Sequence, residues 1–306
     1  MNGLHLNDVL DRNRPAEPEA LRRGAEELRL AIIDLIDGAG LGHYSSTFSI
    51  AELLTVLYRR TMRLKQGDPA WPDRDRFLLG KGHAAVGLWP LLAELDYFPA
   101  DWLSDFGKLG APLTDHPNMR TTPGVDFSSG SLGHNLSVGI GMALAARLQK
   151  RDYRTFVILG DGELHEGQVW EAAMAASHFK LGNLVAIVDA NGSCATGSTS
   201  SVMNIEPVAG RFAAFGWAAS DIDGHDIAAI IKAFDTLPDP GMSVPTCIVA
   251  RTLKGKGVSF MEETPRKWHL GFLGSEDRAR APRRKSGKGS EHGGSGRRFF
   301  IHRGRG

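Results

Sequence analysis

The chain has 306 residues, 42% of them hydrophobic, enough for a real core in one large or two small domains. Its two cysteines, Cys194 and Cys247, suggest no disulfide framework and fit a reducing compartment. No apolar run reaches membrane-span length, and the opening residues lack the basic-then-apolar pattern of a secretory signal, so a cytoplasmic location is expected. The net charge of +1 conceals an asymmetry: residues 278–306 take ten of the 36 basic residues and one of the 35 acidic ones, leaving residues 1–277 at −8. The body reads as one acidic domain over 1–277. The Gly/Arg-rich tail over 278–306 has a disordered composition and is read as an adventitious extension rather than a nucleic-acid-binding arm.

Pro18–Gly38 carries apolar residues at helical spacing and stops at a glycine, the pattern of an amphipathic helix. Gly40–Ser49, GLGHYSSTFS, is a Gly/Ser-rich turn bearing His43, followed by a helix over Ile50–Met62. Arg74–Leu79 leads into Gly80-Lys81-Gly82-His83 and a helix over Ala84–Leu95. This glycine loop lacks the spacing of a P-loop, G-x-x-x-x-G-K-[ST]. Gly110–Pro117 carries His116. Gly130–Gly141, GSLGHNLSVGIG, opens a long helix running to Gln149; a Gly-rich loop before a helix leaves free N–H groups where an anion can bind. The Gly139-Ile140-Gly141 pair lies inside that helix rather than after a strand, so it is no dinucleotide fingerprint.

The most informative stretch is Val157–Asn191, VILGDGELHEGQVWEAAMAASHFKLGNLVAIVDAN. An apolar run over Thr155–Leu159 ends in Gly160-Asp161-Gly162. A helix over Gly167–Phe179 follows, then a second apolar run, Leu184–Val188, with a polar end at Asp189 and Asn191. This is a βαβ unit. Its right-handed crossover sets the two strand ends side by side, so Asp161 and Asn191 project into the crevice where open α/β sheets bind ligands. Asp and Asn oxygens suit a hard cation such as Mg²⁺ or Ca²⁺, which usually accompanies a phosphate, and the flanking glycines allow close backbone approach. Beyond it, Pro207–Phe215 reads as a helix, Trp217–Ile222 as a strand, Ile227–Thr236 as a helix capped near His225-Asp226, and Pro245–Ala250 as another buried strand.

GDG followed about thirty residues on by Asn resembles the thiamine diphosphate motif, and GDGELHEGQVWEAAMAA resembles the transketolase branch in its split, amino-terminal-subunit form. The resemblance covers roughly residues 15–277. It includes GHYSS at His43, the RDRF…GH segment at His83, the HP at His116, GSLG at Gly130, RTLKGKG at Arg251–Gly257 and Trp268-His269. Departures are Gly80 where Ser is common, Asp115 for Gly, His134-Asn135 for Gln-Gly, Ala190 for a polar residue, and Leu270-Gly271 for Gly-Lys.

The resemblance implies an α/β fold with a doubly wound, mainly parallel sheet flanked by helices, the diphosphate-binding domain of the thiamine diphosphate fold. It implies thiamine diphosphate held through Mg²⁺ or Ca²⁺ by Asp161, Asn191 and the carbonyl of Ser193. Gly130, Ser131, Leu132, Gly160, Gly162, Glu163, Glu166 and Lys254 would stand around the cofactor, Glu166 also near a partner protomer. His43, His83, His116 and, less firmly, His269 would serve the sugar hydroxyls as catalytic groups, since histidine titrates near neutrality; His225 is assigned a structural role. The Glu that activates the cofactor lies in the family on a second domain, so the resemblance implies a separate carboxyl-terminal subunit, in an α2β2 heterotetramer, with the lone chain inactive. The implied reaction passes a two-carbon ketol unit from a ketose to an aldose. The alternatives are half of a 2-oxo-acid dehydrogenase or of a deoxyxylulose-phosphate synthase relative, or a non-catalytic cofactor-binding subunit.

Overall fold

The computed structural model describes residues 8–283; the tail beyond residue 283, expected to be disordered, lies outside the described residues. In chain order come β1 (Val9–Leu10), α1 (Pro18–Ala39), α2 (Tyr44–Phe48), α3 (Ala51–Val56), β2 (Leu64–Lys65), β3 (Arg76–Leu79), α4 (Trp89–Glu94) and α5 (His134–Leu148). The core unit follows as β4 (Thr155–Gly160), α6 (Gly167–His178) and β5 (Leu184–Ala190). Then come α7 (Thr199–Val202), α8 (Val208–Ala214), β6 (Ala218–Asp223), α9 (Ile227–Asp235), β7 (Thr246–Arg251), α10 (Ser259–Glu263) and α11 (Ser275–Arg280).

Five strands form one sheet in the order β3-β4-β5-β7-β6, parallel throughout. The short β1 and β2 pair antiparallel beside it. The central strands are buried along their length, as a sheet covered on both faces requires. Alternate side chains feed two cores. Phe156, Ile158, Val185, Ile187 and Ile248 face the layer built from α1, α3, α4 and α9. Val157, Leu159, Ala186, Val188 and Val249 face α5, α6 and α8. Each buried Val, Leu, Ile or Phe among them contributes about 1.5–3 kcal/mol by leaving water, Ala186 less. The family-implied fold class, α/β with a doubly wound, mainly parallel sheet flanked by helices, is what the chain forms.

Two expected helices are interrupted. The helix over Ile50–Met62 begins as α3 and then widens into a π turn at Leu57–Thr61. That turn sends consecutive Arg59 and Arg60 to separate partners, Glu94 on α4 and Asp235 on α9. The helix over Ala84–Leu95 splits into a 3-10 turn, Gly82–Gly87, and α4, because Pro90 has no N–H with which to continue the preceding turn. β3 is too short to stand out in the sequence and is fixed by its register, Phe77 opposite Phe156. Helix α11 straddles residue 277, the expected limit of the body. Arg278 within it pairs with Asp34 and Asp37 of α1. No helix among the described residues is long and apolar enough to cross a membrane.

Candidate active site

The carboxyl ends of β4 and β5 lie in register, with Gly160 opposite Asp189, so Asp161 and Asn191 emerge side by side. Asp161 accepts the N–H of Gly192 at 2.6 Å and of Gly162 at 2.8 Å. Burial pushes its carboxyl up to about 7, reinforced by the nearby Asp189 and opposed by those two N–H groups. Asn191 donates to Asp189 at 2.8 Å, and its side-chain oxygen accepts the N–H of Ser193 at 3.1 Å.

Around these residues opens a cleft of about 340 Å³. Gly160, Asp161, Gly162, Glu163, Glu166, Asn191, Ser193, Lys254 and Leu132 all line it, as do His83 and His269. Gly130 instead lies against the His116 ring, 3.5 Å from where its Cβ would stand, and Ser131 is exposed. Glu163 is buried with both oxygens engaged, accepting from Gly133 at 2.9 Å and from Gly160 at 3.0 Å. It thereby ties the loop before α5 to the end of β4. Burial pushes it up to about 7. Gly133 has φ 85°, and a Cβ there would meet Cβ of Glu166 at 2.7 Å, so only glycine makes this turn.

The four histidines converge although they come from four separate segments. The His43 ring lies 5.2 Å from that of His83, 5.2 Å from His269 and 6.1 Å from His116; His83 and His269 are 5.1 Å apart. Ser46 fixes His269 by a 2.9 Å contact to Nδ1. His225 stands elsewhere, 3.0 Å from Glu52 and accepting the N–H of Leu253, in keeping with a structural role.

Lys81 is not among the residues to which the motifs point. It is 2% exposed and paired with Asp189, which also accepts from Ser49 at 2.7 Å and from Thr252. Burial works to raise the Asp189 carboxyl, but Lys81, Thr252 and Ser49 together hold it below the ordinary carboxylate range. The signals for this pair are the polar residue ending an otherwise apolar strand and the lysine inside a glycine loop. Ser46, His165 and Cys194 also line the cleft without belonging to the expected site residues.

The cleft's electrostatics test whether a metal-bound diphosphate fits. Burial and then Lys81 bring Lys254 down to about 8. Burial and then Lys254 bring His269 down to about 4, and burial with Lys81 holds His83 well below its usual value. These basic groups crowd one another at one wall and would be relieved by an anion. Asp161, with Asn191 and a turn carbonyl beside it, offers hard oxygen donors to a cation. A diphosphate carrying a divalent cation answers both needs.

Residues 21–292 match the family model for the thiamine diphosphate binding domain of transketolase. An apulose-4-phosphate transketolase subunit from Phocaeicola vulgatus is 38% identical over 88% of this chain and 94% of its own length. A 6-deoxy-6-sulfo-D-fructose transketolase subunit from a Clostridium species is 38% identical over 79% of the chain and 88% of its own length. Among solved structures, the transketolase of Campylobacter jejuni superposes with a TM-score of 0.79 at 29% identity, covering 86% of this chain but 42% of that one. The chain belongs to the transketolase family and carries its thiamine diphosphate-binding domain.

Proposed function

We propose that this chain is the diphosphate-binding subunit of a two-component transketolase that moves a two-carbon ketol unit from a ketose to an aldose. The observation that carries the reading is the close approach of the His43, His83, His116 and His269 rings, with His83 and His269 lining the same cleft as Asp161 and Asn191. Strong relatives named as transketolase subunits, matched over most of their length, support the two-component form.

In this reading Asp161, Asn191 and the carbonyl of Ser193 hold Mg²⁺ or Ca²⁺, and Lys254 faces the diphosphate. Thiamine diphosphate, when bound, supplies the nucleophilic carbon that carries the two-carbon unit. The histidines orient the sugar hydroxyls and take or return their protons; His83 and His269, kept neutral by burial and neighbouring cations, serve as acceptors. A separate carboxyl-terminal subunit supplies the Glu that activates the cofactor, in an α2β2 assembly.

The test is an assay of ketol transfer with thiamine diphosphate and Mg²⁺, using the purified chain with and without the protein encoded beside its gene. Transfer is expected only from the mixture. Appreciable turnover by the chain alone would sink the two-component reading, and none from the mixture would sink the transferase reading.

A further inference from the structure

The loop before His116 carries an acid, Asp115, where the family more often has glycine, and its carboxylate stands between two of the clustered histidines. Its Oδ1 lies 3.5 Å from Nδ1 of His43, and its Oδ2 lies 3.3 Å from Nδ1 of His116. Each oxygen thus addresses one ring. Oδ1 of Asp115 and Nδ1 of His43 are both sealed from solvent, and neither makes a hydrogen bond; they face each other at 3.5 Å, two orphaned polar atoms that a small shift would join. The two loops are held from behind: Thr47 donates to the carbonyl of His43 and Thr114 to that of His116, each at 2.6 Å. His83 and His269 present their rings to His43 from the other sides at 5.2 Å.

We propose that Asp115 is a positioning residue that fixes the tautomer of His43 and His116, keeping the proton of each neutral ring on Nδ1 and leaving Nε2 as the proton acceptor.

A neutral imidazole has one donor nitrogen and one acceptor, and the partner of one nitrogen decides the role of the other. An ionised carboxylate only accepts, so a neutral ring that faces it with Nδ1 must carry its proton there. Burial works to raise the Asp115 carboxyl, yet its contacts with His116 and His43 hold it well below the usual carboxylate range, so the acceptor stays ionised across the working pH. One carboxylate therefore sets two proton acceptors at once. Glycine at this position sets neither. An asparagine retains one carbonyl oxygen and adds an NH₂ donor, so it can satisfy the required arrangement at one ring but not at both.

The inference rests on the reading in which these histidines serve the sugar, but its test does not depend on turnover. The full chain, with its histidine ring nitrogens labelled with ¹⁵N, is examined by NMR at a pH where the rings are neutral. His43 and His116 are expected as Nδ1–H tautomers. In Asp115→Asn at least one of them shifts to the Nε2–H form, and in Asp115→Glu the Nδ1–H form is restored. Nε2–H rings in the unsubstituted chain overturn the proposal without reference to any variant, as do ring signals unchanged by Asp115→Asn in a folded chain. With the partner protein present, kcat is expected to drop about tenfold in Asp115→Asn, a fraction of the ~10²–10⁴-fold that general acid–base catalysis contributes, with KM changed less. If no sugar is turned over by any form while the tautomers behave as stated, the functional reading fails and the positioning role stands.

Discussion

Asp161 meets conflicting demands in the free chain. It is buried near Asp189, which disfavours its charge, yet a bound cation requires that charge. Asp161→Asn is therefore expected to leave the free chain as stable as before or more so. It should abolish the Mg²⁺-dependent stabilisation by thiamine diphosphate, about 2.7 kcal/mol at a hundred times Kd. Thermal unfolding with and without Mg²⁺ and cofactor reads both effects. An undiminished cofactor shift in the variant would remove Asp161 from the metal site. Residues of this kind were legible because the GDG and Asn positions sit at strand ends, where topology alone brings them together. Lys81 and Asp115 stood out as residues, a lysine in a glycine loop and an acid before His116, but their roles were not legible. Their roles depend on partners 108 residues away for Lys81 and 72 positions away for Asp115, at Asp189 and His43, and no local spacing encodes such pairs.

Between elements, Glu52 binds three parts of the fold. From α3 it accepts from Arg29 of α1 at 2.6 Å and contacts His225, in the turn between β6 and α9, at 3.0 Å. Burial works to raise its carboxyl, but His225 and Arg29 bring it down to about 2. Because the folded value lies below the unfolded one, about 4.3, this contribution is present above that pH and is lost as the pH falls toward 2. Glu52→Gln leaves the Arg29 guanidinium buried without its counter-ion and is expected to cost about 3 kcal/mol at pH 7. Denaturant midpoints should show the gap between variant and parent closing toward pH 2; a constant gap would mean that packing, not charge, sets the cost. Most helices and the strands β4, β5, β6 and β7 were legible from period and punctuation. The breaks near Leu57 and Leu88 were not, because they answer to tertiary partners and to Pro90 rather than to the apolar pattern.

Across the whole molecule, the cleft draws its walls from widely separated segments of one chain, and in the two-component reading proposed above a second subunit closes one side of it. A partner that closes that side removes water from the cofactor's surroundings and strengthens each charge contact made there. Cofactor binding by the mixture of chain and partner is therefore expected to be tighter than by the chain alone, as titration calorimetry would register. Equal affinities would argue against a shared site. The fold class was readable through the family resemblance, and the βαβ unit at its centre from the pattern of residues 157–191 itself. The order β3-β4-β5-β7-β6 was not, since nothing in a strand's own composition says which neighbour it will pair with.

Ser46 and His269, 223 positions apart, touch through their side chains. Between them Ser45 accepts the N–H of Gly255 and donates its own N–H to the carbonyl of Trp268. The first histidine turn is thus stitched to the last. On the ribosome, at ~5–20 residues per second, roughly 10–45 s separate the emergence of Ser46 from that of His269. Late in that interval the nascent chain already has β4 and β5 but still no closed histidine cluster. The histidines proposed to serve the sugar therefore come together only once translation has passed the stitch.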